Sequence, residues 1–215
     1  MAGDALAACT ACPRLADFLA AGRTSHPGYF CRPVPAFGDH RPRLLIVGLA
    51  PGFHGANRSG RPFTGDHAGL LLYETLHAFG YADRPESLSA DDGLTLTGCR
   101  ITNAVKCVPP ANKPETAEIR RCNGYLKQEL ADLPQGTALL ALGQIAHKAV
   151  LQALGLKDKA HPFSHGAVHR LPPESGPART LHDSYHCSRY NTQTRRLTPE
   201  MFRAVFQQIA TARSA

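Results

Sequence analysis

The chain has 215 residues, of which 43% are hydrophobic and 19% are charged, a composition typical of one globular domain rather than of a disordered protein. Lysine and arginine outnumber aspartate and glutamate by 24 to 17, and the resulting net charge of +7 favours a polyanionic partner. No apolar run approaches the roughly 20 residues of a membrane span, and the first residues lack the basic start and apolar stretch of a signal peptide. We therefore expect a cytoplasmic protein with one domain over residues 1–215 and no membrane partner.

The first half of the chain predicts two helices, one strand and two loops. An alanine-rich helix is expected to end at Gly22, and four prolines within residues 23–42 indicate an irregular segment. The short apolar run at 44–47 is typical of a strand buried on both faces. After a glycine-rich loop at 48–65, apolar residues at helical spacing predict a helix that ends at Gly80.

The second half continues the alternation of strands and helices. Its predicted elements are a linker over 81–98, a strand over 99–105, an amphipathic helix over 115–133, a strand over 137–142, a helix that ends at 154, a short strand at 180–181, and a helix that Thr198 caps and Pro199 begins. This alternation predicts an α/β fold, in which helices flank a mostly parallel central sheet.

Three loops leave predicted strands at the same edge of this sheet. They cover residues 48–66, 103–110 and 182–197, and they are rich in residue types that bind ligands or react. Ligands of open α/β sheets bind beyond the carboxyl ends of the strands. We therefore expect the functional site where these three loops meet.

Seven cysteines, an odd number in a reducing compartment, argue against a disulfide framework and favour metal or cluster ligation. The candidate ligands are a Cys-x2-Cys pair on one face of a predicted helical turn, a cysteine after a strand and one on the next helix, namely Cys9, Cys12, Cys107 and Cys122. These four could hold zinc or an iron–sulfur cluster, and Cys122 by itself could be a core residue of its helix. Cys31 and Cys99 are interpreted as packing residues.

Three stretches resemble the motifs of the family-5, or type B, uracil-DNA glycosylases. The first is GLAPGFHGANRSGRPFTGD at 48–66, the second is ITNAVKC at 101–107, and the third begins with HDSYH at 182–186 and extends to 198. The resemblance covers residues 9–206 and implies the three-layer α/β fold of that superfamily. It also implies hydrolysis of the N-glycosidic bond of uracil, and of hypoxanthine and other deaminated bases, in DNA repair. In this family the four candidate cysteines would hold a 4Fe–4S cluster.

The chain departs from the family pattern at two positions and differs from the type A enzymes at a third. Asp183 and Cys187 stand where the family usually has a proline after each histidine of the third stretch, so a less rigid loop is expected there. Leu49 stands where the type A enzymes carry a glutamate, which speaks against their narrower activity.

The resemblance assigns three catalytic residues. Asp66 matches the carboxylate that would orient or deprotonate the attacking water, although an aspartate just before a helix is also a favoured N-cap. Asn103 can offer a donor and an acceptor to the imide edge of uracil, or it can be a turn residue at a strand end. His182, expected at the carboxyl end of a strand, matches the histidine that would stabilise charge on the leaving base through a contact with that base.

Further residues of the first motif would surround the base. Phe63 is the expected stacking platform, with an ordinary core aromatic as the alternative. His54 and Asn57 are expected to line the mouth of the pocket. Gly52 aligns with a tyrosine that narrow uracil glycosylases place against C5 of the base, so it is expected to admit larger bases. The alternative for Gly52 is a turn that requires positive φ.

The loops also carry candidate contacts to DNA. Phosphate contacts are expected from Arg58, Ser59, Arg61, Ser184 and Arg189, with solvated loop side chains as the alternative. Arg189 and Tyr190 stand at a loop tip from which a wedge could enter the base stack. Lys106 is interpreted as a surface or phosphate-contacting lysine rather than a Schiff-base nucleophile.

The sequence thus predicts a monomeric DNA glycosylase that flips a deaminated base out of a duplex and hydrolyses its glycosidic bond with water. No protein partner is implied. The alternatives are a type A uracil-DNA glycosylase and a non-enzymatic iron–sulfur protein that binds nucleic acid.

Overall fold

The computed structural model describes residues 2–178 and 180–212. Within these ranges the helices are α1 (Ala2–Ala7), α2 (Pro13–Ser25), α3 (Ala56–Ser59), α4 (His67–Ala78), α5 (Thr116–Ala131), α6 (Gln144–Ala153), α7 (Arg189–Gln193) and α8 (Pro199–Ala212). The strands are β1 (Phe37–Gly38), β2 (Leu44–Gly48), β3 (Cys99–Asn103), β4 (Ala138–Leu142), β5 (Val168–Arg170) and β6 (Thr180–Ser184). None of the helices in the described ranges is long and apolar enough to cross a lipid bilayer.

The six strands form one sheet in the order β1–β3–β2–β4–β6–β5. The four central strands are parallel, and the short outer strands β1 and β5 pair antiparallel with β3 and β6. In the register of β2 and β3, Gly48 lies opposite Asn103. The loops that follow the parallel strands therefore meet at one edge of the sheet.

Helices cover both faces of the sheet, which explains the unbroken apolar runs of β2 and β4. Successive residues of a strand point to opposite faces. Leu44 and Ile46 pack with residues of α4 and α8, whereas Leu45 and Val47 pack with residues of α5 and α6. The result is the three-layer α/β fold that the sequence predicts.

Most predicted elements are confirmed with small changes at their ends. The strands expected at 44–47 and 137–142 are β2 and β4, and the amphipathic helix expected over 115–133 is α5. Glu115 and Glu118 form a capping box that fixes the start of α5.

The N-terminal segment differs from the prediction. It forms two helices instead of one, and α2 continues past Gly22 to Ser25. A Cβ at Gly22 would lie 3.0 Å from the sulfur of Cys31, so this glycine permits close packing rather than ending a helix. Cys31 and Cys99 are fully buried, which confirms both as packing residues.

The edges of the sheet also differ from the prediction. The sequence does not predict β1 or β5, which are short and partly exposed. It predicts β6 too short, because the strand runs to Ser184 and includes His182 and Asp183. The loops at 48–65 and 182–197 each contain a short helix, α3 and α7.

Candidate active site

A cavity of about 400 Å³ opens at the carboxyl ends of β2, β3 and β6, where the three loops meet as predicted. This volume is within the usual range for small-molecule sites. Its wall is formed by Leu49, Ala50, Pro51, Gly52, Ala56, Phe63, Asp66, Ala68, Asn103, Asn112, His186, Ser188 and Arg189. Five of these are candidate residues from the sequence: Gly52, Phe63, Asp66, Asn103 and Arg189.

Asn103 ends β3 and presents an acceptor at the cavity wall. Its side chain is buried, and its Oδ1 atom has no hydrogen-bond partner among the described residues. Buried polar atoms are rarely left in this state without a ligand or water. A Cβ on Gly48, across the β2–β3 pair, would lie 2.4 Å from this oxygen. The glycine at position 48 therefore makes room for the Asn103 amide.

Phe63 packs against Gly48 on the same side as Asn103. A Cβ on Gly48 would lie 2.6 Å from the Cζ atom of Phe63. Its ring stacks on His186 with centroids 5.9 Å apart and an angle of 29° between the planes. Phe63 has a φ of 55°, a left-handed conformation that a non-glycine residue keeps only where its surroundings fix it. Phe63 is both a core aromatic and part of the cavity wall.

His186 supplies an imidazole to the cavity. Burial lowers the pKa of His186 to about 4, so the ring is neutral at physiological pH. The Nδ2 atom of Asn191 donates a hydrogen bond of 2.8 Å to the carbonyl oxygen of His186. The Oγ atom of Ser188 caps α7 by accepting from the N–H of Asn191 at 3.3 Å. These contacts restrain the backbone around Cys187, where the family pattern has proline.

Asp66 caps α4 and also faces the cavity. Its Oδ1 atom accepts a hydrogen bond of 2.9 Å from the N–H of Gly69, which confirms the predicted N-cap. The Oδ2 atom of Asp66 is directed towards Gly52, and a Cβ on Gly52 would lie 3.8 Å from this oxygen. Burial raises the pKa of Asp66, although the hydrogen bond from Gly69 opposes this shift.

The structure corrects the predicted position of His182. This residue lies inside β6, its side chain is fully buried, and neither ring nitrogen has a hydrogen-bond partner among the described residues. Burial lowers the pKa of His182 to about 4. His182 is not on the cavity wall, because β6 continues to Ser184 and the first histidine beyond its end is His186.

His54 and Asn57 also lie outside the cavity wall. The Nδ1 atom of exposed His54 is 2.9 Å from the hydroxyl of Tyr29. Asn57 is fully buried, and its Nδ2 atom donates to the Cys31 sulfur and the Phe53 carbonyl oxygen, each at 3.4 Å. The structure therefore does not place either residue at the mouth of the pocket as predicted.

Three of the predicted phosphate contacts are engaged within the fold. Arg61 is 5% exposed and pairs with Asp92 at 2.7 Å. The hydroxyl of Ser59 lies within 3.3 Å of three carbonyl oxygens of its own loop. Ser184 is fully buried and donates to the carbonyl oxygen of the next residue at 2.9 Å. The structure does not support these three residues as phosphate ligands, because their partners are inside the protein.

Arg58, Arg189 and Tyr190 are exposed, as contacts to DNA require. Arg189 lies at the cavity wall, and Tyr190 follows it on α7 with 70% of its side chain exposed. The guanidinium of Arg58 lies against Gly65, where a Cβ would be 2.7 Å from Nη2. Their contact with DNA stays a prediction.

Lys106 is a buried ion-pair residue, which corrects its interpretation as a surface lysine. Its Nζ atom lies 2.9 Å from each carboxylate oxygen of Glu129 and also donates to the hydroxyl of Thr102. A buried charge needs such partners. The backbone N–H of Lys106 donates to the sulfur of Cys122 at 3.3 Å, so this residue links β3, α5 and the cysteines.

All four candidate cysteines line one small cavity, together with apolar residues that include Leu15 and Val105. Cys9 and Cys12 lie in the segment between α1 and α2, with Cys12 as the N-cap of α2, rather than on a helical turn as predicted. Burial raises the pKa of Cys107 to about 12, and the other three cysteines add to this shift. Four cysteines around one cavity form a set of sulfur ligands that a positively charged centre could bind as thiolates.

The sequence prediction omits two polar residues of the cavity wall besides His186. Asn112 has a φ of 56°, a left-handed conformation in which asparagine is enriched, and no local pattern points to it. Ser188 follows Cys187 in the third motif and acts both as the cap of α7 and as part of the wall.

Comparison with known proteins identifies close relatives. Residues 35–210 match the family described as "Uracil DNA glycosylase superfamily". A protein of Thermus thermophilus named "Type-5 uracil-DNA glycosylase" is 49% identical over 208 residues, which cover 94% of this chain and 93% of the relative. Proteins of the same name from Pyrobaculum aerophilum and Mycobacterium leprae are 39% and 42% identical, over 94% of this chain and 88% and 90% of their own lengths.

Proposed function

The chain belongs to the uracil DNA glycosylase superfamily, and from that premise we propose that it excises uracil from DNA. The reaction hydrolyses the bond between the base and C1′ of its deoxyribose and leaves an abasic site. The observation that carries the proposal is the buried Oδ1 atom of Asn103, which lacks a partner among the described residues at the cavity wall. The imide N–H of uracil supplies the donor that this acceptor lacks.

The cavity suits one base that has been flipped out of the duplex. Such enzymes hold the extruded base by stacking and by hydrogen bonds to its edge. Phe63 provides the stacking surface, and the Asn103 amide contacts the edge. Cytosine presents an acceptor in place of the imide N–H, and an unsatisfied buried oxygen costs about 1–3 kcal/mol. This difference favours uracil over cytosine.

Asp66 and His186 promote cleavage of the glycosidic bond between C1′ and the base. The electron pair of the C1′–N1 bond leaves with the base, and the oxygen of water bonds to C1′. The Oδ2 atom of Asp66 orients this water, takes its proton and stabilises the positive charge on the sugar. The neutral imidazole of His186 donates its N–H to an oxygen of the departing base and stabilises the negative charge there.

DNA is held by residues around the cavity mouth. Arg58 and Arg189 contact phosphates without reading sequence, and Tyr190 enters the stack where the base has left it. We place the enzyme in the cytoplasm, because none of its seven cysteines, all of which are described, forms a disulfide. We propose a monomer, because one chain supplies the whole cavity wall and all four clustered cysteines.

The four clustered cysteines fit a 4Fe–4S cluster. Thiolates are the usual ligands of such clusters, and Cys9, Cys12, Cys107 and Cys122 line one cavity. The hydrogen bond from the Lys106 N–H to the Cys122 sulfur is of the kind that tunes a cluster. When bound, the cluster supplies a positively charged iron centre that keeps the thiolates ionised. The cysteines then tie the start of α2 to the segment 107–122.

The spread of the sulfur atoms favours a cluster over a single zinc ion. Tetrahedral Zn–S bonds of about 2.3 Å place sulfurs about 3.8 Å apart. Among the described residues, the one group of ligand atoms that all lie within 4.8 Å of one another is a His–His–Asp group elsewhere. The four sulfurs are therefore more widely spaced than one zinc ion requires.

We infer that base tolerance extends to hypoxanthine. Gly52 is not among the described glycines with positive φ, so a left-handed turn does not explain it. A Cβ there would contact only the Oδ2 atom of Asp66 within 4 Å, which leaves room for a larger base. Leu49, also on the wall, cannot act as an acid or base, and this favours the type B over the type A assignment.

A duplex with a single uracil tests the proposal. Incubation with the purified protein, followed by alkali, should cut the labelled strand at the uracil and leave a matched cytosine duplex intact. Asn103→Ala should slow the cutting while duplex affinity stays nearly unchanged, because phosphate contacts dominate affinity. A folded wild-type protein that leaves the uracil strand uncut would disprove the proposal.

A further inference from the structure

Away from the cavity, Asp183 lies between two histidines in the protein interior. Its Oδ1 atom is 2.7 Å from Nδ1 of His147 on α6, and its Oδ2 atom is 3.0 Å from Nε2 of His169 on β5. Asp183 and His147 are fully buried, whereas 11% of the His169 side chain is exposed. One ligand atom from each of the three residues lies within 4.8 Å of the other two. None of the three lines the catalytic cavity or the cysteine cavity.

The hydrogen bonds of His147 require a positive charge at this cluster. Its Nε2 atom is 2.8 Å from the carbonyl oxygen of His161. Because a carbonyl oxygen only accepts, Nε2 carries the proton of a neutral ring. The lone pair of Nδ1 then faces the Asp183 carboxylate, which is also an acceptor. Two acceptors 2.7 Å apart repel each other, so either a second proton or a metal ion lies between them.

We propose that this cluster is a zinc site, with Nδ1 of His147, Nε2 of His169 and a carboxylate oxygen of Asp183 as ligands. Imidazole nitrogens and carboxylate oxygens bind zinc at about 2.0–2.2 Å, which places tetrahedral ligands about 3.3 Å apart. The nitrogens of His147 and His169 lie 2.7 and 3.0 Å from different oxygens of Asp183, so one carboxylate oxygen must turn towards both nitrogens when the ion binds. Three protein ligands leave the fourth position for water or for His161, whose ring centroid is 5.6 Å from that of His169.

The surroundings of His147 match those of a zinc ligand. Histidines that bind metal usually donate their other N–H to a carbonyl oxygen or a carboxylate, which fixes the tautomer and the ring orientation. The contact from His147 to the His161 carbonyl oxygen is of this kind. The partial exposure of His169 provides a route for the ion from solvent.

The location of the site suggests a structural role. It ties the edge strand β5 to α6 and to β6, and β5 is otherwise paired with β6 alone. Asp183 precedes the cavity residue His186 by three positions. The bound ion therefore fixes the end of β6, from which the loop to the catalytic cavity continues.

Equilibrium dialysis of the cluster-loaded protein against zinc chloride, followed by metal analysis, tests this proposal. We expect one zinc ion per chain and a higher thermal midpoint in its presence. His169→Gln keeps an amide N–H that can reach Asp183, so the fold is retained, while zinc affinity falls by at least about 100-fold. The matched control is His77→Gln on α4, on the other face of the sheet, which should bind zinc like the wild type.

Two results would overturn the zinc site. One is a wild-type protein that binds no zinc, and the other is binding that His169→Gln leaves unchanged. X-ray absorption at the zinc edge gives a readout that needs no variant. Nitrogen and oxygen neighbours at about 2.0–2.2 Å support the site, whereas sulfur neighbours at about 2.3 Å place the ion at the cysteines and refute it. Neither measurement depends on glycosylase activity.

Discussion

Replacing Gly48 by alanine would perturb the catalytic cavity with a single methyl group. The added Cβ would lie 2.4 Å from Oδ1 of Asn103 and 2.6 Å from Cζ of Phe63, whereas ordinary contacts begin at 3.4 Å. The two side chains must therefore move by about 1 Å to relieve the overlap. Because β2 is paired with a strand on each side, the displacement falls on these side chains rather than on the strand.

The expected loss of activity follows from this displacement. A shift of about 1 Å in a positioned group can cost about 100-fold in rate, which corresponds to about 2.7 kcal/mol of transition-state stabilisation. We therefore expect Gly48→Ala to slow uracil excision by about 100-fold. Duplex affinity should change little, because the phosphate contacts are elsewhere.

Gly52→Ala is the matched control, since its Cβ would have only the Oδ2 atom of Asp66 within 4 Å, at 3.8 Å. Both variants are assayed with excess protein on a labelled uracil duplex, well below their thermal midpoints. The rate of Gly52→Ala should stay close to that of the wild type. A wild-type rate for Gly48→Ala would refute the assignment of Asn103 and Phe63 to the base, and equal losses in both variants would point to general disturbance of the loop.

Three further predictions concern pH, the cysteines and base tolerance. Burial raises the pKa of Asp66, and the ionised form of Asp66 takes the proton of water. The excision rate should therefore fall as the pH drops through a midpoint above the usual aspartate pKa of about 3.9. An excision rate that stays constant down to about pH 3.9 would contradict this prediction. Serine at Cys9, Cys12, Cys107 or Cys122 should lower iron content, visible absorbance and thermal midpoint, whereas Cys31→Ala should keep its iron; full iron in all four serine variants would exclude these cysteines as the ligands of the cluster. Gly52→Tyr should reduce hypoxanthine excision far more than uracil excision, because the ring fills the space beside the larger base; equal losses would show that residue 52 does not limit base size.

The central strands and helices could be predicted because their causes are local. The apolar run of β2 reflects burial on both faces, and Asp66 has both the residue type and the position of an N-cap. The edge strands β1 and β5 could not be predicted in this way. Each pairs with a single neighbour and is partly exposed, so neither needs an unbroken apolar pattern.

His186 replaces the predicted His182 as the cavity histidine because of a backbone pairing that sequence patterns do not report. Ser184 pairs with Leu142 of β4, and this pairing extends β6 past the point where its apolar run ends. His182 is therefore a strand residue, and His186 is the histidine that reaches the cavity. The sequence pattern identified the third motif, but it did not show where strand β6 ends.

Buried charges were also beyond the reach of the sequence. Arg61 pairs with Asp92, which lies 31 positions further along the chain, in the segment that is predicted to be a linker. Lys106 pairs with Glu129, which lies 23 positions further along the chain, beyond Cys107 and Cys122. Charged residues in loops and turns are usually exposed, so only the three-dimensional contacts show that these two belong to the interior.

The central claim is that uracil is removed in the cavity at the ends of β2, β3 and β6, with Asp66 acting on water. The most direct test is the release of free uracil by the wild type and by Asp66→Asn, with excess protein over duplex. Asparagine keeps an oxygen that can cap α4, so the variant should fold and bind the duplex like the wild type. The wild type should release one uracil per duplex, and Asp66→Asn should do so about 10²–10⁴-fold more slowly. Uracil release at equal rates by both proteins, or none by the wild type, would contradict the claim.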